Sequence, residues 1–87
     1  MNDVNYVVLG RRIRILRKYR RMTQEQLAEA AGLSIQHLRN AENARTKLAH
    51  AKIKNIANAL HVSLDELAGD GMDQKQVRPE IAALFEE

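Results

Sequence analysis

The sequence predicts an all-α fold: a compact five-helix unit with a possible short sixth helix near its C-terminal end. Three observations carry that prediction. Apolar residues recur three and four apart, as in Leu9, Ile13 and Leu16 or in Ile53, Ile56, Ala57 and Leu60, and no stretch reads as a credible strand. Capping residues precede the stripes: Asp3 or Asn5, then Thr23, Ser34 and Ser63. The chain has 87 residues, enough for one small helical core. The division expected is a single domain over residues 1–69, followed over 70–87 by a linker and a short amphipathic segment.

The first helix is expected to end near Tyr19, with Arg11, Arg14 and Lys18 off its apolar stripe. Gly10 within it costs about 1 kcal/mol against Ala, which points to a close packing contact. Arg20, Arg21 and Met22 connect to the second helix, with Met22 as a core plug. Thr23 and Gln26 have the spacing of a capping box, and Leu27, Ala28 and Ala31 form a small-residue face. Gly32 suits the left-handed conformation that ends a helix. Ser34 then caps a third helix with Leu38 and Ala41 on one side.

Ala44 to Lys47 form a polar, basic connection to the fourth helix. Ser63 and Glu66 make a capping box for the fifth, which Gly69 and Gly71 end, opening a linker to Gln74. Pro79-Glu80 suits a helical first turn, with Val77, Ile81, Leu84 and Phe85 on one face.

Composition excludes several classes of function. There is no Cys, which removes disulfides and thiolate metal sites and makes a reducing compartment, the cytoplasm, the expected location. No apolar run approaches the roughly 20 residues of a membrane span, and Tyr6 to Leu9 is too short for a signal-peptide core. The acids lack ligand spacing to any His, so no metal or other cofactor is expected. No Ser/His/Asp set, phosphate loop or catalytic carboxylate pair suggests an enzyme. The aromatics Tyr6, Tyr19 and Phe85 are too scattered for a single-strand stacking platform.

Charge is sorted along the chain. Arg11, Arg12, Arg14, Arg17, Lys18, Arg20 and Arg21 crowd together without an acid, and Arg39, Arg45, Lys47, Lys52 and Lys54 follow. From Asp65 onward the acids prevail. A basic front with an acidic back suits a module whose first part meets phosphates. The third helix leaves Ile35, Gln36, Arg39, Asn40 and Asn43 opposite its apolar side. Amides, a guanidinium and one apolar side chain on one exposed face are what reading base edges in a major groove requires. Gln36 and Asn40, four apart, share a face, and each suits adenine N6 and N7. Ile35 suits a thymine methyl, or alternatively a partner contact or a staple under the second helix. Arg39 suits guanine or phosphate, and His37 either touches DNA or finishes the turn.

Leu9-Gly10-x-x-Ile13-x-x-Leu16-Arg17, Thr23-Gln24-x-x-Leu27-Ala28, Gly32-Leu33-Ser34, Leu38, Glu42, Ile56-Ala57-x-x-Leu60 and Val62-Ser63-Leu64-x-x-Leu67 stand in one register. In this the chain resembles the phage-repressor/Cro family of helix-turn-helix proteins, often called Xre-like, over roughly Leu9 to Leu67. The resemblance implies a domain whose third helix enters the major groove and which binds DNA as a homodimer. It makes Ile35, Gln36 and Asn40 the main base-edge readers, gives Gln24 a phosphate, and pairs Arg17 with Glu42 between the first helix and the end of the third. The phosphate candidates are Arg17, Thr23, Gln24, His37, Asn43, Arg45 and Lys47. The chain departs from the family pattern at Ala44, where glycine is frequent, and at Leu48, where proline is. Either Asn43 takes the left-handed role or the third helix runs on through Arg45.

The function expected is a sequence-specific regulator of double-stranded DNA, a homodimeric repressor reading an inverted repeat. An antitoxin or a restriction-modification controller of the same fold is the alternative, as is a protein-interaction module that reads no DNA. A toxin or an antirepressor is a possible protein partner. With no sensor domain in view, control is expected through protein level, a partner or proteolysis. The apolar residues Leu64, Leu67, Val77, Ile81, Leu84 and Phe85 offer a dimer contact, or else the last helix folds back over helix 1 or helix 5.

Overall fold

A computed structural model describes residues 5–69 and 77–86. Those residues form α1 (Tyr6–Tyr19), α2 (Gln24–Ala31), α3 (Ile35–Glu42), α4 (His50–Ala59), α5 (Leu64–Ala68) and α6 (Pro79–Leu84), with no strand among them. Side-chain caps fix the starts of α1, α2, α3 and α5. The Asn5 side chain accepts from the Val7 and Val8 N–H groups; Asp3, the other cap considered, lies outside the described residues. Thr23 with Gln26 and Ser63 with Glu66 close both capping boxes. Ser34 accepts from the His37 N–H.

The first four helices end alike. Met22, Leu33, Arg45 and Val62 donate their N–H groups back five residues, to the carbonyls of Arg17, Ala28, Asn40 and Ala57, at 2.8–3.0 Å. Each closure puts the preceding residue at positive φ: Arg21, Ala44 and His61 at 58°, Gly32 at 72°. This is the Schellman closure, and only Gly32 takes it without strain. The two alternatives for the end of α3 are both overturned. Asn43 has φ −95°, α3 stops at Glu42, and Ala44 itself goes left-handed. Two carbonyls are satisfied in return, by the Ala44 and Arg45 N–H groups, against about 1–2 kcal/mol of backbone strain.

The core collects Leu9, Ile13 and Leu16 from α1, Leu27 from α2, Leu38 from α3, Ile53 and Ile56 from α4, Leu67 from α5 and Ile81 from α6. Met22 packs against its edge, half-buried. Gly10 is where α1 crosses the end of α3: a Cβ there would stand 2.5 Å from the Ala41 carbonyl oxygen and 2.7 Å from that of Glu42. Backbone contact this close fixes the height of α3 against α1. Leu48 is buried and the Tyr6 hydroxyl donates to its carbonyl at 3.3 Å. The Leu48 side chain thus anchors the connection before α4, where the family pattern has proline.

The last helix belongs to the same body. Ile81 is 1% exposed and Leu67 is 0% exposed, so neither is available to a second chain as the dimer reading required. Leu64, Val77, Leu84 and Phe85 are half-buried. The fold-back alternative describes α6 better, because polar groups as well as Ile81 hold it down. Glu66 accepts from the Arg78 N–H at 2.9 Å, from its Nε at 2.9 Å and from an Nη at 3.2 Å, while the same guanidinium reaches the His61 carbonyl at 2.8 Å. Arg12 bonds the Gly69 carbonyl at 2.9 Å and lies 4.9 Å from the centre of the Phe85 ring. The linker expected from Gly71 to Gln74 lies outside the described residues.

Candidate nucleic-acid interface

Capped by Ser34 and buried through Leu38 and Ala41, α3 turns its other side outward. Gln36 is exposed and Asn40 half-buried. The Gln36 amide donates to Asn40 Oδ1 at 3.2 Å, so the two side chains stand together, each with further donor and acceptor capacity. Ile35 and His37 are half-buried beside them, and Arg39 and Asn43 are exposed. Lys52 of α4 holds the turn before α3, its ammonium donating to the Gly32 carbonyl at 3.0 Å.

Behind this face lies one buried carboxylate. The side chain of Glu42 is fully buried, and Arg17 donates to it from Nε at 2.7 Å and from an Nη at 3.2 Å. Gln24 adds its amide at 3.1 Å, and the Arg14 Nε stands 3.6 Å away. Burial of a carboxylate is tolerable only with such partners. The network continues outward: Gln24 Oε1 accepts from Arg39 Nε at 3.2 Å, and Arg14 bonds Asn43 Oδ1 at 2.8 Å. Among the described residues no buried side-chain nitrogen or oxygen lacks a partner. These bonds couple polar groups of α1, α2 and α3 into one network.

The structure brings Arg17, Gln24, Arg39, Glu42 and Asn43 together, with Thr23 exposed at the adjoining cap. Arg45 and Lys47 are exposed in the connection after α3. The basic crowd of α1 divides. Arg12 faces α5 and α6, and Arg20 bonds the Leu60 and His61 carbonyls at 2.8 and 3.2 Å. Both serve the fold, closing the ends of helices whose carbonyls would otherwise lack donors. Sequence reading gave no individual role to Arg14 or Lys52. The spacing of Arg14 and Arg17, three apart on one helix face, was the available signal for the first; nothing in the sequence signals the second. No group of three His, Cys, Asp or Glu among the described residues is placed to hold a metal ion, and no helix there is long and apolar enough to cross a membrane.

Residues 8–68 match the helix-turn-helix domain family. The chain is 41% identical over 61 residues, covering 70% of itself and 88% of the relative, to the HTH-type transcriptional regulator YazB of Bacillus subtilis (strain 168). It is 34% identical over 64 residues to the immunity repressor protein of Bacillus phage phi105, covering 74% of itself and 44% of that repressor's length. The restriction-modification controller protein C.AhdI from Aeromonas hydrophila superposes with a TM-score of 0.70 at 30% identity, over 72% of this chain and 96% of that one. The matched span holds the capped pair α2–α3 and the Arg17–Glu42 lock behind it, and with these the chain belongs to the helix-turn-helix family of DNA-binding transcriptional regulators, the phage-repressor type.

Proposed function

We propose that the protein is a homodimeric repressor that reads an inverted-repeat operator with α3. The observation that carries this is the solvent-facing Gln36–Asn40 pair on a helix whose back is fixed by the buried Glu42. Reading bases needs a few polar groups held in constant register, and the register comes from the support and not from the readers. Gln36 and Asn40 contact adenine edges and Ile35 a thymine methyl. Arg17, Thr23, Gln24, His37, Asn43, Arg45 and Lys47 serve the phosphates, which supply most of the affinity. Of the residues expected at the dimer contact, Leu64, Val77, Leu84 and Phe85 keep exposed surface for it. Two copies place their third helices about 34 Å apart.

Footprinting on the gene's own upstream region, with a salt titration, tests the reading. Two protected half-sites one helical turn apart are expected. With six or more phosphates neutralised per dimer, affinity falls on the order of a thousandfold between about 50 and 200 mM salt. A flat salt titration would remove DNA binding as the main activity.

The similarity to a restriction-modification controller favours that role as a second reading, to which a methyltransferase gene beside this one would point.

A further inference from the structure

We propose that Arg14 and Arg39 are a pair of phosphodiester contacts flanking the base-reading residues, both oriented from the buried Glu42. The inference rests on the DNA-reading function above and resolves a choice the sequence leaves open, since an exposed arginine on α3 suits guanine as well as phosphate.

Arg39 lies about 60° round the helix from Gln36, at 100° per residue, on the side toward α2. Its Nε is spent on Gln24 Oε1 at 3.2 Å, and Gln24 in turn donates to Glu42 at 3.1 Å. A guanidinium drawn sideways in this way presents its terminal nitrogens along the flank of α3, whereas bidentate guanine recognition needs them aimed outward beside Gln36. Arg14 sits at the other end of the same support. Its Nη bonds Asn43 Oδ1 at 2.8 Å and its Nε stands 3.6 Å from Glu42, with 44% of the side chain exposed.

Charge makes the case for an anion. Among the described residues, Glu42 is the sole carboxylate paired with Arg14 or Arg17, and it is also the one to which Gln24 links Arg39. Arg17 already engages both of its oxygens. Two guanidiniums on one carboxylate, with a third linked to it through Gln24, carry an excess of positive charge; of these Arg14, against Asn43 at the end of α3, and Arg39, against Gln24, lie at the surface. A polyanion laid across α3 would neutralise both. Fixing the two guanidiniums in the free protein also removes the side-chain entropy that flexible phosphate contacts lose on binding.

The test measures operator affinity across a salt series for Arg14→Ala, Arg39→Ala and Arg39→Lys, on the operator and on a panel with single base-pair changes. Circular dichroism checks folding; both residues are exposed. Each alanine variant should lower the salt slope by about one per protomer and weaken binding to every operator in the panel by the same factor. Arg39→Lys should retain the slope. If Arg39→Ala instead relaxes preference at one base pair and leaves the slope unchanged, Arg39 reads a base and the inference is overturned while the DNA-reading function stands. Unchanged affinity and slope in both alanine variants would also overturn it, leaving Arg14 and Arg39 as structural bonds. A parent protein without salt-dependent, sequence-selective binding would bring down the DNA-reading function and this inference together.

Discussion

Arg17 and Glu42 lock α1 to the end of α3, with Nε donating to Oε2 at 2.7 Å and an Nη to Oε1 at 3.2 Å. Both ends of the pair are withdrawn from water, the Arg17 side chain being 12% exposed and that of Glu42 0%. The same Arg17 closes the end of its own helix region through the Met22 carbonyl at 3.1 Å. One side chain thus fixes α1, the connection to α2 and the last residue of α3.

Removing either partner leaves a buried group short of its bonds. Arg17→Ala and Glu42→Ala should each destabilise the domain by about 3 kcal/mol, the lower end of what breaking a buried pair costs. Arg17→Ala is the milder of the two, because Gln24 and Arg14 still face the carboxylate. The double variant should lose less than the sum. Urea melts of the four proteins measure the coupling, and strictly additive losses would show that the pair is not a unit.

The left-handed closures offer a stability gain. Ala44 and His61 each adopt φ 58°, a strain of about 1–2 kcal/mol that glycine does not bear. Glycine also raises the entropy of the unfolded chain, offsetting about 0.5–1 kcal/mol. Ala44→Gly and His61→Gly should therefore each stabilise by about 0.5–1 kcal/mol, and Gly32→Ala should destabilise by a similar amount. Denaturant midpoints decide; a loss of stability in both glycine variants would contradict the account of these turns.

Most of the helical architecture was legible because capping chemistry and apolar spacing act locally. Thr23 with Gln26, Ser63 with Glu66, and Gly32 each announce a boundary in one short window. Ala44, Arg21 and His61 do not, since their left-handed backbone is imposed by hydrogen bonds and packing that no residue type advertises. The tail left two readings open for a related reason. An amphipathic stripe such as Val77, Ile81, Leu84 and Phe85 records that a partner exists without saying whether it lies in the same chain. The deciding bond, from Arg78 to Glu66, spans 12 positions of sequence.

At the interface, residue types and spacing picked out Gln36 and Asn40 as a pair four apart, whereas the links from Glu42 through Gln24 to Arg39 needed three helices in place. Composition likewise counted Arg12 and Arg20 with the basic front, and only the fold turns them inward to carbonyls.

The attachment of α6 should depend on acid. Burial raises the pKa of Glu66, but the hydrogen bonds from Arg78 and Ser63 outweigh it and hold the carboxyl at about 2, below its ordinary 4.5. A carboxylate depressed on folding contributes stability above its unfolded pKa and loses it as pH falls through the folded one. The contribution is thus intact at neutral pH and disappears from about 4.5 down to about 2. Glu66→Gln should lower stability at pH 7 and flatten that part of the acid dependence. Urea melts from pH 7 to pH 2 on parent and variant measure the difference, and parallel curves would mean that Glu66 does not hold α6.

The central claim is that Gln36 and Asn40 read bases. Its most direct measurement is the affinity of Gln36→Ala and Asn40→Ala for the operator and for operators changed one base pair at a time. Each variant should lose about 1–3 kcal/mol of binding and relax preference at one base pair per half-site, with its salt dependence unchanged. If both variants remain folded and bind the operator as tightly and as selectively as the parent, α3 does not read DNA through this pair.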